Sequence, residues 1–465
     1  MTAWFDVHGV IALLGLILYA IDSHTRRKRR HPSASIAWFV SLLLLPYVAF
    51  PLYLFFGRRK IDTTFHTDGT EKTVAALKKP SYQPTTGDEN LAIALGLQQA
   101  VEIQNLTIHH NGMQALQALE ACIASAKETL DICTFIFGRD VAGYRISQLL
   151  KERAKQGVKI RLLVDGLGYF YEGVPSFKEL RDAGVKVVLF ASPFQLSFFG
   201  KTNMRIHRKL VIADSSRMWS GGRNLTAKYF ELNKQKKKTN KSWVDLSFDL
   251  YGDLAHQAQA VFDTDWAIAT RQIPENTIAR KVNFSNQKAL DARLVPSGPD
   301  CVEDTIYTLL VSGCYTAKSR ILIVTPYFVP DISLLTALEL AARRGVTIEL
   351  LVPVKSNFLA DIARRVAFRD LARAGVNIWL FPSMVHAKAF IFDESLALVG
   401  SANLDERSLF LNYELMVAFY KTSVIQDFAS WIYRQRDKSS AYIPKQPHML
   451  REISEGVVRW IAFQL

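Results

Sequence analysis

The stretch HRKLVIAD, residues 207–214, returns in altered form as HAKAFIFD, residues 386–393. Both read His-x-Lys-x4-Asp, and the likeness runs on past the octamer. His207, Lys209 and Asp214 lead to Gly221, Gly222 and Asn224, while His386, Lys388 and Asp393 lead to Gly400, Ser401 and Asn403. Two such spacings with the same glycine and asparagine downstream point to duplication rather than chance. The apolar, β-prone run after each lysine predicts a strand, with His and Lys at its start and Asp at its end before a turn. Side chains two apart share a face, so His and Lys point together into one space. A buried strand gains nothing from that pair, because an imidazole and an ammonium repel or lose protons without an anionic partner.

Outward from the octamers, the texture repeats. ETLDICTFIF, KERAKQGVKIRLLVDG and RDAGVKVVLF precede the first octamer, and SRILIVTPYF, ELAARRGVTIELLVPV and ARAGVNIWLF precede the second. Each series reads as a strand, a helix with a charged face, a strand after glycine, a second helix and another strand. Gly157 and Gly345 fall where a helix C-terminus needs a left-handed residue. Strands alternating with helices define an α/β class with helices covering each sheet. The expected architecture is two homologous α/β/α halves forming a pseudo-dimer in one chain. The expected division is residues 1–60, a linker over 61–105, a first half over 106–285 and a second over 286–465.

The chain has 465 residues, 49% of them apolar and 22% charged, which suits a folded protein with real cores. A net charge of +14 favours an anionic partner: nucleic acid, an anionic membrane surface or a phosphate-bearing substrate. Cys122, Cys133, Cys301 and Cys314 show neither a metal-ligand spacing nor a disulfide framework, and read as core residues.

The first sixty residues differ in kind. Residues 34–57 carry no charge, enough chain to cross about 30 Å of hydrocarbon, with Pro46 and Pro51 as expected kinks. The weaker apolar run over 4–21 lacks the basic start of a signal peptide, so a transmembrane helical hairpin is expected. Five consecutive Lys/Arg residues at 26–30 place the connecting loop in the cytoplasm, while Arg58, Arg59 and Lys60 pull the other way. A double crossing and a re-entrant hairpin both satisfy these charges.

Two-fold related halves would bring two His, two Lys and two Asn around one pocket. Ammonium groups and asparagine amides suit the non-bridging oxygens of a phosphate. One imidazole can attack phosphorus while the other protonates the leaving oxygen. A phosphohistidine intermediate then splits one displacement into two. No clustered His/Cys/carboxylate set suggests a metal, and neither metal nor cofactor is expected.

The paired motifs resemble those of the phospholipase D superfamily and, with the N-terminal hairpin, TPYFVP at 325–330 and GSANLDERSLFLNYE at 400–414, those of its bacterial cardiolipin synthases. The resemblance implies that two phosphatidylglycerol molecules become cardiolipin and glycerol at the bacterial inner membrane, in a multi-pass protein whose partners are anionic phospholipids rather than nucleic acid. By the same resemblance His207 is the nucleophile and His386 the general acid, then base. Lys209, Lys388, Asn224 and Asn403 hold the phosphate, and Asp214 and Asp393 complete the catalytic motifs, acting structurally through hydrogen bonds near the pocket. Asp245 and Glu414 join the substrate-binding set as the acids that orient a histidine. The first motif departs from the common Gly-Ser by carrying Gly221-Gly222.

A phospholipase hydrolysing the same intermediate, a transferase using another alcohol, a nuclease of the superfamily and an inactive lipid-binding scaffold are the rival readings. The CDP-lipid type of cardiolipin synthase is excluded, because Asp165-Gly166 is followed by LGYF and not by that family's signature. The lysine-rich segment over 233–241 and the apolar C-terminal segment over 450–465 are candidate lipid contacts.

Overall fold

A computed structural model describes residues 2–25, 32–57, 87–172, 177–192, 203–232, 242–271, 291–301 and 303–444. The basic clusters at 26–30 and 58–60, the lysine-rich segment and the C-terminal segment lie outside the described residues.

At the N-terminus come α1 (Thr2–Thr25), α2 (Pro32–Leu44), α3 (Pro46–Phe56) and α4 (Gly87–Ala94). The first half contains β1 (Gln104–His109), α5 (Gly112–Ser125), β2 (Thr129–Thr134), α6 (Val141–Lys155), β3 (Lys159–Asp165), α7 (Gly166–Glu172), α8 (Phe177–Asp182) and β4 (Lys186–Phe190). It continues through β5 (Leu210–Ala213), β6 (Arg217–Gly221), β7 (Ser247–Tyr251) and α9 (Asp253–Thr270). The second half begins with β8 (Ala292–Ser297), α10 (Thr305–Thr316), β9 (Arg320–Val324), β10 (Phe328–Val329), α11 (Ile332–Arg343), β11 (Thr347–Pro353), α12 (Phe358–Ala374) and β12 (Asn377–Phe381). It ends with β13 (Ala389–Phe392), β14 (Leu396–Gly400), β15 (Leu404–Asp405), α13 (Glu406–Phe410), β16 (Glu414–Phe419), α14 (Thr422–Arg436) and β17 (Ser440–Ala441).

The duplication read from the octamers is carried by both sheets. One is ordered β1-β7-β6-β5-β2-β3-β4 and the other β8-β16-β14-β13-β9-β11-β12, with β17 added at the edge. In each, three strands run parallel, and the octamer strand joins them antiparallel through β2 or β9. Equivalent helices even share their start and stop signals. Asp140 caps α6 and Asp331 caps α11, each accepting two backbone N–H bonds, and Gly157 and Gly345 follow both helices at φ +91°. Such a cap stabilises a helix by about 1 kcal/mol.

Alternation along the octamer strands divides the core. Leu210 and Ile212, like Ala389 and Ile391, face a central apolar layer that contains residues of both sheets, α9 and α14. Val211 and Ala213 face an outer core under α5 and α6, and Phe390 and Phe392 another under α10 and α11. The halves are therefore joined by a continuous apolar layer, which fixes the geometry of whatever lies at their seam. Cys122, Cys133 and Cys314 are buried in these cores as expected, and Cys301 is half-buried.

The N-terminal expectation needs correction. The uncharged run over 34–57 is two helices rather than one span, broken at Leu45 (φ −132°, ψ 52°) ahead of Pro46. Proline disfavours helical geometry in the residue before it, and here it also starts the next helix. Pro51, the other expected kink, lies inside α3. The helices do cluster, around buried Leu42, Ala49 and Tyr53, yet no described helix is long and apolar enough to cross a membrane.

Candidate active site

His207 and His386 lie just ahead of β5 and β13, in segments that approach the strands rather than within them. Each approach is clamped by the opposite half. The His207 N–H donates to the Tyr413 carbonyl (2.9 Å) and the Tyr413 N–H to the Arg205 carbonyl (2.8 Å). Across the pseudo-two-fold, the His386 N–H donates to the Val244 carbonyl (2.6 Å) and the Val244 N–H to the Met384 carbonyl (2.9 Å). These bridges bring both motifs to one seam.

The two acids cross that seam. Glu414 heads β16 of the second half, and its carboxylate lies 2.9 and 3.0 Å from Nδ1 of His207 in the first half. Asp245 precedes β7 of the first half, and its Oδ2 lies 2.8 Å from Nδ1 of His386 in the second. Neither carboxylate has exposed side-chain surface. With Nδ1–H given to the acid, Nε2 of each imidazole is left bare to react.

Burial lowers the pKa of His207 to about 4, the charge of Glu414 opposing that shift and Lys209 adding to it. Burial and the charge of Lys388 lower that of His386 to about 3, against the bond to Asp245. Both imidazoles are therefore neutral near pH 7. Burial would raise both carboxyls, but the histidines and lysines around them outweigh it and hold Asp245 and Glu414 low.

Lys209 and Lys388 are 1% exposed. Each turns its ammonium back to the carbonyl of its own histidine, at 2.6 and 2.5 Å, and Lys388 Nζ also lies 2.7 Å from Nδ1 and 3.1 Å from Nε2 of His386. Burial pulls their pKa values down to about 7 and about 8, with Glu414 and Asp245 resisting. An arriving phosphate would reverse that desolvation penalty. Binding a soluble phosphodiester headgroup at pH 8 should therefore take up about one proton. Calorimetry in two buffers of different ionisation enthalpy reads it, and proton release would contradict this electrostatic picture.

The asparagines differ. Asn224 is engaged on both sides, Oδ1 accepting from the Ile136 N–H (3.3 Å) and Nδ2 donating to the Tyr229 hydroxyl (2.9 Å). Asn403 is 6% exposed and its Oδ1 has no hydrogen-bond partner among the described residues.

Asp214 and Asp393 are not brought to the pocket, which corrects their place among the catalytic residues. Each lies beyond the far end of its strand, about 16 Å of extended chain from its lysine. Asp214 accepts from the N–H groups of Lys127, Glu128 and Thr129, and Asp393 from those of Lys318, Ser319 and Arg320, all at 2.8–2.9 Å. Both adopt left-handed backbone (φ 50° and 52°), which aspartate tolerates better than most residues. The motif aspartate thus caps the start of β2 or β9. Asp214→Ala should cost about 1–2 kcal/mol by chemical denaturation while leaving kcat nearly unchanged, because water can reach the freed N–H groups.

Several contributors carried no readable signal in the sequence. Tyr229 places its hydroxyl 3.5 Å from Nε2 of His386, and Trp243 lies against the same imidazole with centroids 5.2 Å apart. Arg208, the variable residue of the first His-x-Lys, is buried, paired with Asp265, and donates to the Glu414 carbonyl (3.0 Å). Ala387 fills the equivalent place.

The Gly-Gly departure has a steric cause. Ser401 donates to Glu414 at 2.5 Å, but at Gly222 the shorter Asp245 occupies that space, and a Cβ there would collide with its Oδ1. Gly222→Ala should push the carboxylate off His386 and lower kcat about 100-fold, since small misplacements in such sites carry costs of this order. Unchanged turnover in that variant would contradict the assignment of Asp245.

Paired sheets that each deliver a His-Lys-Asn set to a common seam define a two-motif protein of the phospholipase D type. The family model described as cardiolipin synthase, PLD-like domain, matches residues 119–266 and 314–436, and one described as phospholipase D-nuclease N-terminal matches 10–58. Cardiolipin synthase 1 of Bacillus anthracis is 30% identical over 86% of this chain and 82% of its own. Cardiolipin synthase A of Pseudomonas syringae is 30% identical over 92% and 89%. The fold is shared with a phosphatidylserine synthase of Haemophilus influenzae at TM-score 0.60 and 12% identity, over 81% of this chain and 99% of that one. The chain belongs to the cardiolipin synthase family of phospholipase D-like proteins.

Proposed function

We propose that this protein is a membrane-associated phosphatidyltransferase that converts two phosphatidylglycerol molecules into cardiolipin and glycerol. The observation that carries the reading is the pair of crossed His–acid dyads, with a buried lysine beside each histidine, in a chain of this family. In the first step Nε2 of His207 attacks phosphorus, the bond from phosphorus to the headgroup oxygen breaks, and glycerol leaves with a proton from His386. In the second step a hydroxyl of another phosphatidylglycerol gives its proton to His386 and attacks the phosphohistidine, freeing His207.

His386 must be protonated for the first step, although burial keeps it neutral in the free site. The negative charge of a bound phosphodiester favours its protonation, as does Asp245. Lys209, Lys388 and Asn403 are the groups assigned to the non-bridging oxygens, and Asn224 acts through Tyr229. The two halves are assigned to residues 106–285 and 286–465, and the N-terminal helices to embedding in the membrane as a hairpin.

Purified protein in mixed micelles with labelled phosphatidylglycerol tests the reaction. Cardiolipin with released glycerol is the expected result. Phosphatidic acid alone would make the protein a hydrolase, and no product from folded protein would overturn the assignment.

A further inference from the structure

Exposed apolar side chains on the two halves are not scattered. Of the twelve large ones exposed among the described residues between 87 and 444, seven follow the carboxyl ends of the parallel strands β2, β3, β9 and β11. Val141 (55% exposed) and Tyr144 (48%) lie in the first turn of α6 after β2, and Phe170 (51%) lies in α7 after β3. The second half repeats the placement, with Ile332 (51%) opening α11 after β9. After β11 come Val354 (42%) and, opening α12, Phe358 (75%) and Leu359 (42%). The histidines belong to this same end of the sheets, because β5 and β13 run antiparallel to β2 and β9 and are entered there. Ordinary surface leucines and valines need no explanation, but a shared end of both halves does.

Beside these apolar positions the exposed charges among the described residues are cationic, while Glu303, after β8, is an exposed acid at the same end. Arg139 and Lys355 are exposed beside the apolar positions. The neighbouring acids are turned inward: Asp140 and Asp331 as helix caps, and Asp361 onto Arg364 and the Ser356 N–H. Apolar side chains bordered by exposed cations match the boundary of an anionic bilayer, where the former enter the acyl region and the latter meet headgroups.

We infer that this rim docks on an anionic lipid surface and delivers lipid to the paired histidines without its leaving the bilayer. The inference rests on the phosphatidyltransferase reading for the identity of the lipid. The rim adds a second contact to whatever the N-terminal helices make.

The test uses the full chain carrying Phe358→Ser and Leu359→Ser together. Turnover of long-chain phosphatidylglycerol in vesicles should fall about tenfold, while turnover of a short-chain phosphatidylglycerol kept monomeric in solution stays within about twofold of the unsubstituted chain. Equal loss on both, or on neither, overturns the docking role. A spin label on F358C in a Cys301→Ser background reads docking without activity. Shielding from a water-soluble relaxant in phosphatidylglycerol vesicles supports it, and full accessibility overturns it. If the unsubstituted chain acts on neither lipid, the proposed reaction has failed and the label still decides the surface.

Discussion

Replacing His207 or His386 by alanine should each lower phosphatidyl transfer by at least about 10³-fold while the protein stays folded. The two losses share a size because the histidines act in sequence on one phosphorus: without His207 no intermediate forms, and without His386 the leaving oxygen departs unprotonated. Their structural costs should be modest. Glu414 keeps Ser401 and Asn412 as donors when His207 is removed, and Asp245 keeps the Leu246 N–H when His386 is removed. Activity per folded molecule, with a cooperative thermal transition as the control, makes the comparison. Substantial turnover in either variant would remove the paired-histidine mechanism.

Glu414→Gln and Asp245→Asn should each lower kcat by about 10²–10⁴-fold, in the range seen when an acid orienting a catalytic histidine becomes an amide. The amide keeps the shape but can donate to Nδ1, placing the ring proton on Nε2 where the lone pair is needed. The crossing makes the prediction specific. Glu414→Gln should change the tautomer of His207, in the other half, and leave His386 alone; Asp245→Asn should do the reverse. Because Glu414 opposes the burial that depresses His207, its loss should carry that imidazole's pKa further down from about 4. Nitrogen chemical shifts of labelled histidines report both effects. A change confined to the histidine of the acid's own half would contradict the crossed dyads.

Much of this was legible in the octamers. The repeat of texture around them gave two equivalent sheets, and family likeness singled out Glu414 and Asp245. Which histidine each acid serves was not legible, since periodicity describes one strand and the crossing depends on how two sheets meet. The same limit hid Tyr229 and Trp243, which reach His386 from the other half. Reading Gly222 as a lost serine missed its dependence on the length of Asp245. At the N-terminus, Pro46 reads as a kink within one span, but it breaks the helix at Leu45 and starts another, so the expected span becomes two helices.

The measurement that bears most directly on the mechanism is capture of the covalent intermediate. Protein turning over labelled phosphatidylglycerol is quenched in denaturant at alkaline pH, digested, and its peptides sequenced by mass spectrometry. The account predicts a phosphatidyl group on the peptide containing His207, absent in His207→Ala. Sustained turnover with no phosphatidyl-histidine, or with the label on any residue other than His207, would contradict it.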